Sequence, residues 1–511
     1  MGNHVRQTAF VIVTAASLTL FSSLLFAENW WQKTKDAVHE VSEAVEQKFL
    51  QQDDQEPDYQ TPNFDPADPL LLAAQAHQWR LSHRQDAVWH SPMAVLEAGV
   101  NHGPTVVLVH GLGQNGMLDW LPVIPALAAR YHVLAVDLPG FGRSALPSGE
   151  YSPENYAAVL AGLIADLAHD EVHLVGHSMG AAVSLYLASQ MPSATPSPGP
   201  QLRQLMLVDA AGILERTAFV KSLATAPVPL EQLPDIIRSP SASAVDFAES
   251  LIERVSLLGD PTAVLGNRRI RDAVVGQSPN SNAALALVQT DFSRRFAQVT
   301  VPTAILWGAQ DTVAPLRTGY LLEQKIAGAQ LSIFPDAAHV PMASHTPMFN
   351  AWLLNRLEGT ADDAYRYQPP SAPIGNTDLV LKDCSNRVIT GAYRRVSLSR
   401  CKNILLDNVS AERLSVAHSS VELRNVSLVS EGRSFSSDES VVLGTNVLIQ
   451  GKKAALIQGS RIDLAGATVA GADKALNVKA TSLLVFSVSE LQSGASRRPI
   501  HGSFRLEDKR W

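Results

Sequence analysis

Val172-His173-Leu174-Val175-Gly176-His177-Ser178-Met179-Gly180-Ala181-Ala182-Val183 runs from an apolar, β-branched segment, through a serine set between two glycines, into a segment of helical character. That order predicts a buried strand, a sharp turn and a helix. A turn this tight leaves no room for side chains at Gly176 and Gly180, and it lifts the Ser178 hydroxyl above the sheet edge. Ser178 is therefore a candidate nucleophile. A serine hydroxyl attacks poorly near neutral pH, so the reading requires a base within reach and a third group to orient that base.

Working outward, short apolar runs at 106–109, 133–136, 205–208 and 303–307 end at Gly, Asp or His like the run at 172–175. They read as buried parallel strands. Helical stretches at 120–130, 153–169 and 179–191 lie between them, which predicts an α/β sheet covered on both faces. Ligands of such sheets sit beyond the C-terminal ends of the strands. The alternation stops for nearly ninety residues, about 213–299. This stretch reads as an inserted helical cap, with a packing insertion of no consequence for substrate as the other reading.

Candidate partners for Ser178 lie after later strands. His339, in Pro335-Asp-Ala-Ala-His339-Val-Pro341, follows the strand-like run 331–334 and is the expected base. Asp311 directly follows the strand ending at Trp307 and is the favoured acid, with Asp209, at the end of the preceding strand, as the alternative. His110-Gly111-Leu112-Gly113 closes the strand at 106–109. The backbone amides of Leu112 and Met179 are the expected donors to an oxyanion. His110 and His177 are expected to be structural.

These segments, with Asp137-Leu-Pro139-Gly140-Phe-Gly142-Arg-Ser144, resemble the cap-bearing α/β-hydrolase superfamily over residues 79–358. The resemblance is to its serine esterases and carbon-carbon bond hydrolases, because the nucleophile position holds serine rather than aspartate. It implies a Ser178, Asp311, His339 triad and an acyl-enzyme. Two departures loosen any subfamily assignment: Ala181 and Ala182 stand where a further glycine is common, and residues 344–347 lack a glutamate often found after the histidine.

The remainder divides by composition. Residues 8–27 carry no charge and follow Arg6, so 1–27 reads as a signal peptide or N-terminal anchor. That predicts an exported protein, periplasmic, anchored facing the periplasm, or secreted. Residues 28–69 hold an amphipathic stripe, Val38, Val41, Val45 and Phe49, and then an acidic, proline-rich linker. The hydrolase-like body is assigned to 70–358, a second linker to 359–375 and an all-β domain to 376–511. In this last part Asn408-Val409-Ser410 recurs as Asn425-Val426-Ser427, and Cys384 recurs as Cys401, both after seventeen residues. Stacked coils of a right-handed β-helix or other β-solenoid explain the spacing, with an irregular β-sandwich as the alternative. On adjacent coils the two cysteines would lie within disulfide range; otherwise they are separate buried thiols.

With 46% apolar and 18% charged residues the chain is neither disordered nor a polytopic membrane protein. A formal charge of -8 and the lack of a long basic run argue against nucleic-acid binding. No metal cluster, phosphate loop or dinucleotide fingerprint occurs, so no cofactor is expected. Three functions remain: hydrolysis of a small hydrophobic ester or acyl compound, carbon-carbon bond hydrolysis on the same triad, and binding or adhesion by a non-catalytic hydrolase domain. Contact with a membrane or the cell envelope through either terminus stays open.

Overall fold

The structure is a computed structural model that describes residues 59–191, 199–215, 278–360, 366 and 376–507. The expected signal segment, the amphipathic stripe, most of the cap and most of the second linker lie outside the described residues.

The first body is an eight-stranded sheet in the order β1-β2-β4-β3-β5-β6-β7-β8. Its elements run α1 (Pro69–His77), β1 (Arg80–Gln85), β2 (Pro92–Ala98), β3 (Thr105–Val109), α2 (Ile124–Ala128), β4 (His132–Val136), α3 (Pro153–Leu167) and β5 (Glu171–His177). They continue with α4 (Met179–Ala188), β6 (Gln201–Val208), α5 (Pro279–Gln289), β7 (Thr303–Gly308), α6 (Arg317–Lys325), β8 (Gln330–Phe334), α7 (Pro341–Ser344) and α8 (Thr346–Leu357). From β4 to β8 all neighbours are parallel, whereas β1 and β2 pair antiparallel at one edge.

Local chemistry sets several boundaries. The α1, α3 and α5 helices each start with a side-chain cap followed by proline: Asp68-Pro69, Ser152-Pro153 and Ser278-Pro279. The cap oxygen accepts an otherwise unpaired N–H, while proline needs none at that position. The single helix expected at 120–130 is instead a 3₁₀ turn, Gly116–Trp120, and the five-residue α2. Pro122 and Pro125 break it, because each removes a donor and restricts the residue before it. The α4 helix also stops earlier than expected, at Ala188.

The C-terminal body is a parallel β-solenoid, not a sandwich. It comprises β9 (Asp378–Lys382), β10 (Ser385–Ser399), β11 (Lys402–Ala417), β12 (Ser420–Val429), β13 (Phe435–Asp438), β14 (Val441–Gln458), β15 (Arg461–Ala465), β16 (Thr468–Lys479), β17 (Ser482–Ser493) and β18 (Ser496–Leu506). All pairings are parallel except that of β18, which folds back antiparallel on β17 and covers that edge. Inward side chains stack in columns, such as Val396, Leu414, Phe435, Ala455 and Leu476.

Cys384 and Cys401 stack at a Cα separation of 4.5 Å and form a disulfide. The same column continues as a hydroxyl ladder. Cys401 N–H donates to Ser419 Oγ, Ser419 N–H to Ser440 Oγ, Ser440 N–H to Ser460 Oγ, and Ser460 N–H to Ser482 Oγ. Each coil thus satisfies a buried donor of the coil before it.

The two bodies share a core. Ala465, Val485 and Val488 of the solenoid belong to the same buried cluster as Ile213, Leu321 and Leu322. Gly466, at φ 67°, brings its backbone so close that a Cβ there would stand 2.5 Å from Leu321 Cδ1. Arg317, at the start of α6, is buried against the solenoid, donating to Thr445 Oγ1 (3.1 Å), the Gly444 carbonyl (2.9 Å) and Asp463 Oδ1 (3.2 Å).

Candidate active site

Five strand ends along one sheet edge carry the site: those of β3, β5, β6, β7 and β8. Ser178 follows β5 at φ 54° and ψ -118°, a conformation costly for a residue with a Cβ. The turn is as crowded as the motif implies. A Cβ on Gly176 would overlap the Gly180 carbonyl, one on Gly180 would overlap the carbonyls of Val109 and His110, and one on Gly111 would lie 2.8 Å from Ser178 Cβ.

The structure brings Ser178, His339 and Asp311 together. His339 Nε2 stands 3.0 Å from Ser178 Oγ, and His339 Nδ1 stands 2.7 Å from Asp311 Oδ2. The Asp311 side chain is fully buried and that of His339 is 16% exposed, so the imidazole alone faces outward. Asp311 Oδ1 accepts the N–H groups of Val313 (2.7 Å) and Ala314 (2.9 Å). Both carboxylate oxygens are therefore committed, and the acid cannot swing away from the imidazole without losing those bonds.

Asp209, the alternative acid, does not reach His339. It ends β6 fully buried, and its Oδ1 accepts the Gly308 N–H at 2.8 Å, at the root of the loop that carries Asp311. Burial pushes this carboxyl far above the usual carboxylate range, and the neighbouring Asp311 charge pushes it the same way. The protonated form of Asp209 is thereby favoured behind Asp311.

The two histidines expected to be structural both hold site backbone. His177 is buried, with its Nε2 2.7 Å from the His339 carbonyl. That nitrogen must carry the proton, since a carbonyl only accepts. Burial, with the nearby His339, holds the His177 ring far below the usual histidine range and so neutral. His110 Nε2 accepts the Leu138 N–H at 3.0 Å, which leaves the ring proton on Nδ1, 2.6 Å from the Gly111 carbonyl. A trans peptide points its N–H opposite its C=O. Pinning the Gly111 carbonyl to His110 thus turns the Leu112 N–H away from that ring, while Gly111 packs on Ser178. Met179 opens α4, where the first N–H groups of a helix have no partner within it.

A contact missed in the sequence comes from the returning cap segment: Asn280 Oδ1, in the first turn of α5, accepts the Gly113 N–H at 2.7 Å. Its neighbour Asn282 donates to the Gly149 carbonyl at 2.7 Å. The only available signal was an asparagine pair behind a Ser-Pro cap, which by itself says nothing about a partner 167 residues away. Among the described residues no cluster of three or more His, Cys, Asp or Glu could hold a metal.

A family model described as "Alpha/beta hydrolase family" matches residues 106–351. An uncharacterized protein of Mycobacterium tuberculosis is 32% identical over 255 residues, covering 47% of this chain and 71% of its own length. A pimeloyl-[acyl-carrier protein] methyl ester esterase of Aliivibrio salmonicida is 26% identical over 275 residues, covering 48% and 89%. Among solved structures, a hydrolase from Pseudomonas aeruginosa aligns over 54% of this chain and 98% of its own, with 24% identity and a TM-score of 0.40. On the family model and the mycobacterial relative, this chain belongs to the α/β-hydrolase family.

Proposed function

We propose that this protein is an exported serine hydrolase that cleaves a small hydrophobic ester or related acyl bond through Ser178, His339 and Asp311. The observation that carries the proposal is the unbroken chain from Ser178 Oγ to His339 Nε2 at 3.0 Å and from His339 Nδ1 to Asp311 Oδ2 at 2.7 Å. The methyl ester esterase among the relatives supports an ester as the bond broken. The uncharged 8–27 segment supports export.

In this reading, Ser178 Oγ attacks the acyl carbon as its proton passes to His339 Nε2. Asp311 keeps the Nδ1 proton in place and balances the imidazolium. The carbonyl electron pair moves to oxygen, where the Leu112 and Met179 amides receive it; one such donor is worth about 3 kcal/mol. Collapse expels the alcohol with the proton from His339, leaving an acyl-Ser178. Water then repeats the sequence, losing its proton to His339 and releasing the acid.

The test is turnover of p-nitrophenyl esters of graded acyl length by the protein and by Ser178→Ala. Wild-type release of nitrophenol that the variant lacks supports the proposal, and the chain-length preference measures the acyl pocket. Equal turnover by both would remove Ser178 from the mechanism. Silence of wild type across the panel would return the carbon-carbon hydrolase and binding readings.

A further inference from the structure

The loop 111–117, which presents the Leu112 amide, is tied at every second residue by a group from outside it. The Gly111 carbonyl accepts from His110, the Gly113 N–H donates to Asn280, and the Met117 N–H donates to Asp137 Oδ1 at 2.6 Å. At the remaining tie, the Asn115 carbonyl accepts from Arg143 Nη1 at 3.3 Å.

Arg143 carries this last tie to the beginning of the described chain. Its side chain is 15% exposed, and its two edges face different segments. Nε and Nη2 donate to Asp68 Oδ2 (2.6 Å) and Oδ1 (2.9 Å), while Nη1 is shared between the Asn115 carbonyl and Asp137 Oδ2, each at 3.3 Å. A guanidinium is planar and rigid, so fixing one edge sets the direction of the other. Asp137 cannot take over that task by moving. It is fully buried, and a Cβ on Gly116 would stand 2.0 Å from its Oδ1 and one on Gly142 2.3 Å from its Cγ.

Asp68 is itself firmly placed. It accepts the Leu70 N–H at 2.8 Å as the cap of α1, and Leu70 lies in the same buried cluster as Met117 and Trp120. Burial pushes the Asp68 carboxyl up, but the Arg143 and backbone hydrogen bonds outweigh it and hold the group below the usual carboxylate range. The main chain of Arg143 is held from the same side. His83 Nε2 donates to the Arg143 carbonyl at 3.0 Å, and Phe64 stacks on the His83 ring at 4.4 Å. Asp68, Phe64 and His83 all precede the stretch 106–351 that the family model matches.

We infer that Asp68 is a positioning residue for the oxyanion site: through Arg143 it fixes the loop that aims the Leu112 amide, so the segment ahead of the family-matched stretch takes part in catalysis. The inference rests on the acyl hydrolysis proposed for Ser178. A contact that only held the N-terminal segment down would add to stability and leave the chemical step untouched.

The experiment uses the full-length protein and its Asp68→Asn, Arg143→Lys and doubly substituted variants. It measures kcat and KM on the p-nitrophenyl ester that wild type turns over fastest, per Ser178 titrated with a fluorophosphonate, so that unfolded protein is not counted. It also measures inhibition by a trifluoromethyl ketone, which adds reversibly to the serine and places its oxygen where the oxyanion forms. Asparagine still caps α1 but gives up the charge, and lysine keeps a charge but cannot span both segments. Asp68→Asn should lower kcat about tenfold with KM little changed, and should weaken the ketone by the same factor. Arg143→Lys should cost more, and the double variant no more than Arg143→Lys alone, because Asp68 acts through that side chain. Asp68→Asn that melts lower yet keeps kcat and ketone affinity overturns the inference, as do losses that multiply in the double variant. In either case wild-type turnover leaves the hydrolase reading standing; a wild type silent toward both ester and ketone removes that reading and this inference with it.

Discussion

Asp209 adopts φ 45° at the end of β6, a left-handed conformation, and keeps its carboxyl in a fully buried place. The strain and the burial are tolerated at the root of the loop that presents Asp311, where Asp209 braces the Gly308 N–H. In the unfolded chain this group loses its proton above about pH 4, whereas in the folded chain burial and the nearby Asp311 shift that loss to higher pH. The folded state thus binds more protons, and stability falls as pH rises from there through the raised folded value. Asp209→Asn needs no such proton, so it should melt higher than wild type at pH 8 while leaving the acid limb of ester turnover in place. A limb that moves toward lower pH in the variant would mean that Asp209 is ionised and had been raising the basicity of His339. His110 offers a second test at this scale. Without its bond to the Gly111 carbonyl the Leu112 amide loses its fixed direction. His110→Ala should lower kcat about 100-fold with little change in KM, the pattern of an interaction made only in the transition state. That Ser178, His339 and Asp311 would meet at one place was legible from strand ends and motif order. The bracing roles of Asp209, His177 and Asn280 were not, because each depends on a contact between segments distant in sequence.

The α6 helix links the two bodies. It begins a few residues after the Asp311 loop, and its first residue, Arg317, is the buried tie to the solenoid. Removing one partner of a buried ion pair typically costs 3–5 kcal/mol, because the other charge is left without compensation. Arg317→Ala and Asp463→Asn should each lower the melting temperature by several degrees. Arg317→Met and Asp463→Leu made together should cost less than the sum of those same two changes made singly, as a double-mutant cycle would measure. Elements buried on both faces, such as β3, β5 and β7, were readable because they appear as continuous apolar runs. The β1 strand, Arg-Leu-Ser-His-Arg-Gln, is a polar edge strand with no such run and was missed. The solenoid repeat was visible only where it was regular. Asn408 and Asn425 occupy left-handed corners seventeen residues apart, and the same corner passes to Asn446, Gly466 and Val488 at spacings of 21, 20 and 22 residues. With both the spacing and the residue changing, the later coils carried no recognisable sequence period.

At the scale of the whole molecule, the hydrolase sheet and the solenoid are packed into one another, and buried histidines make the assembly sensitive to acid. Burial, helped by the neighbouring His169, holds His132 down to about 4, and burial lowers His173 and His177 as well. Between the ordinary histidine value near 6.5 and these depressed folded values, the unfolded chain binds protons that the folded chain refuses. Stability should therefore decline as pH falls from about 6.5 toward 4, measured as a falling melting temperature, and His132→Phe should make that decline shallower. The central claim is that this assembly positions one serine for covalent catalysis. It is tested most directly by the intact mass and peptide map of the protein after brief exposure to a fluorophosphonate. The account predicts a single adduct on Ser178, absent in Ser178→Ala and formed at least 100-fold more slowly in His339→Ala, where the proton acceptor is gone. A protein that stays unlabelled while folded, or one labelled equally fast without His339, would contradict it.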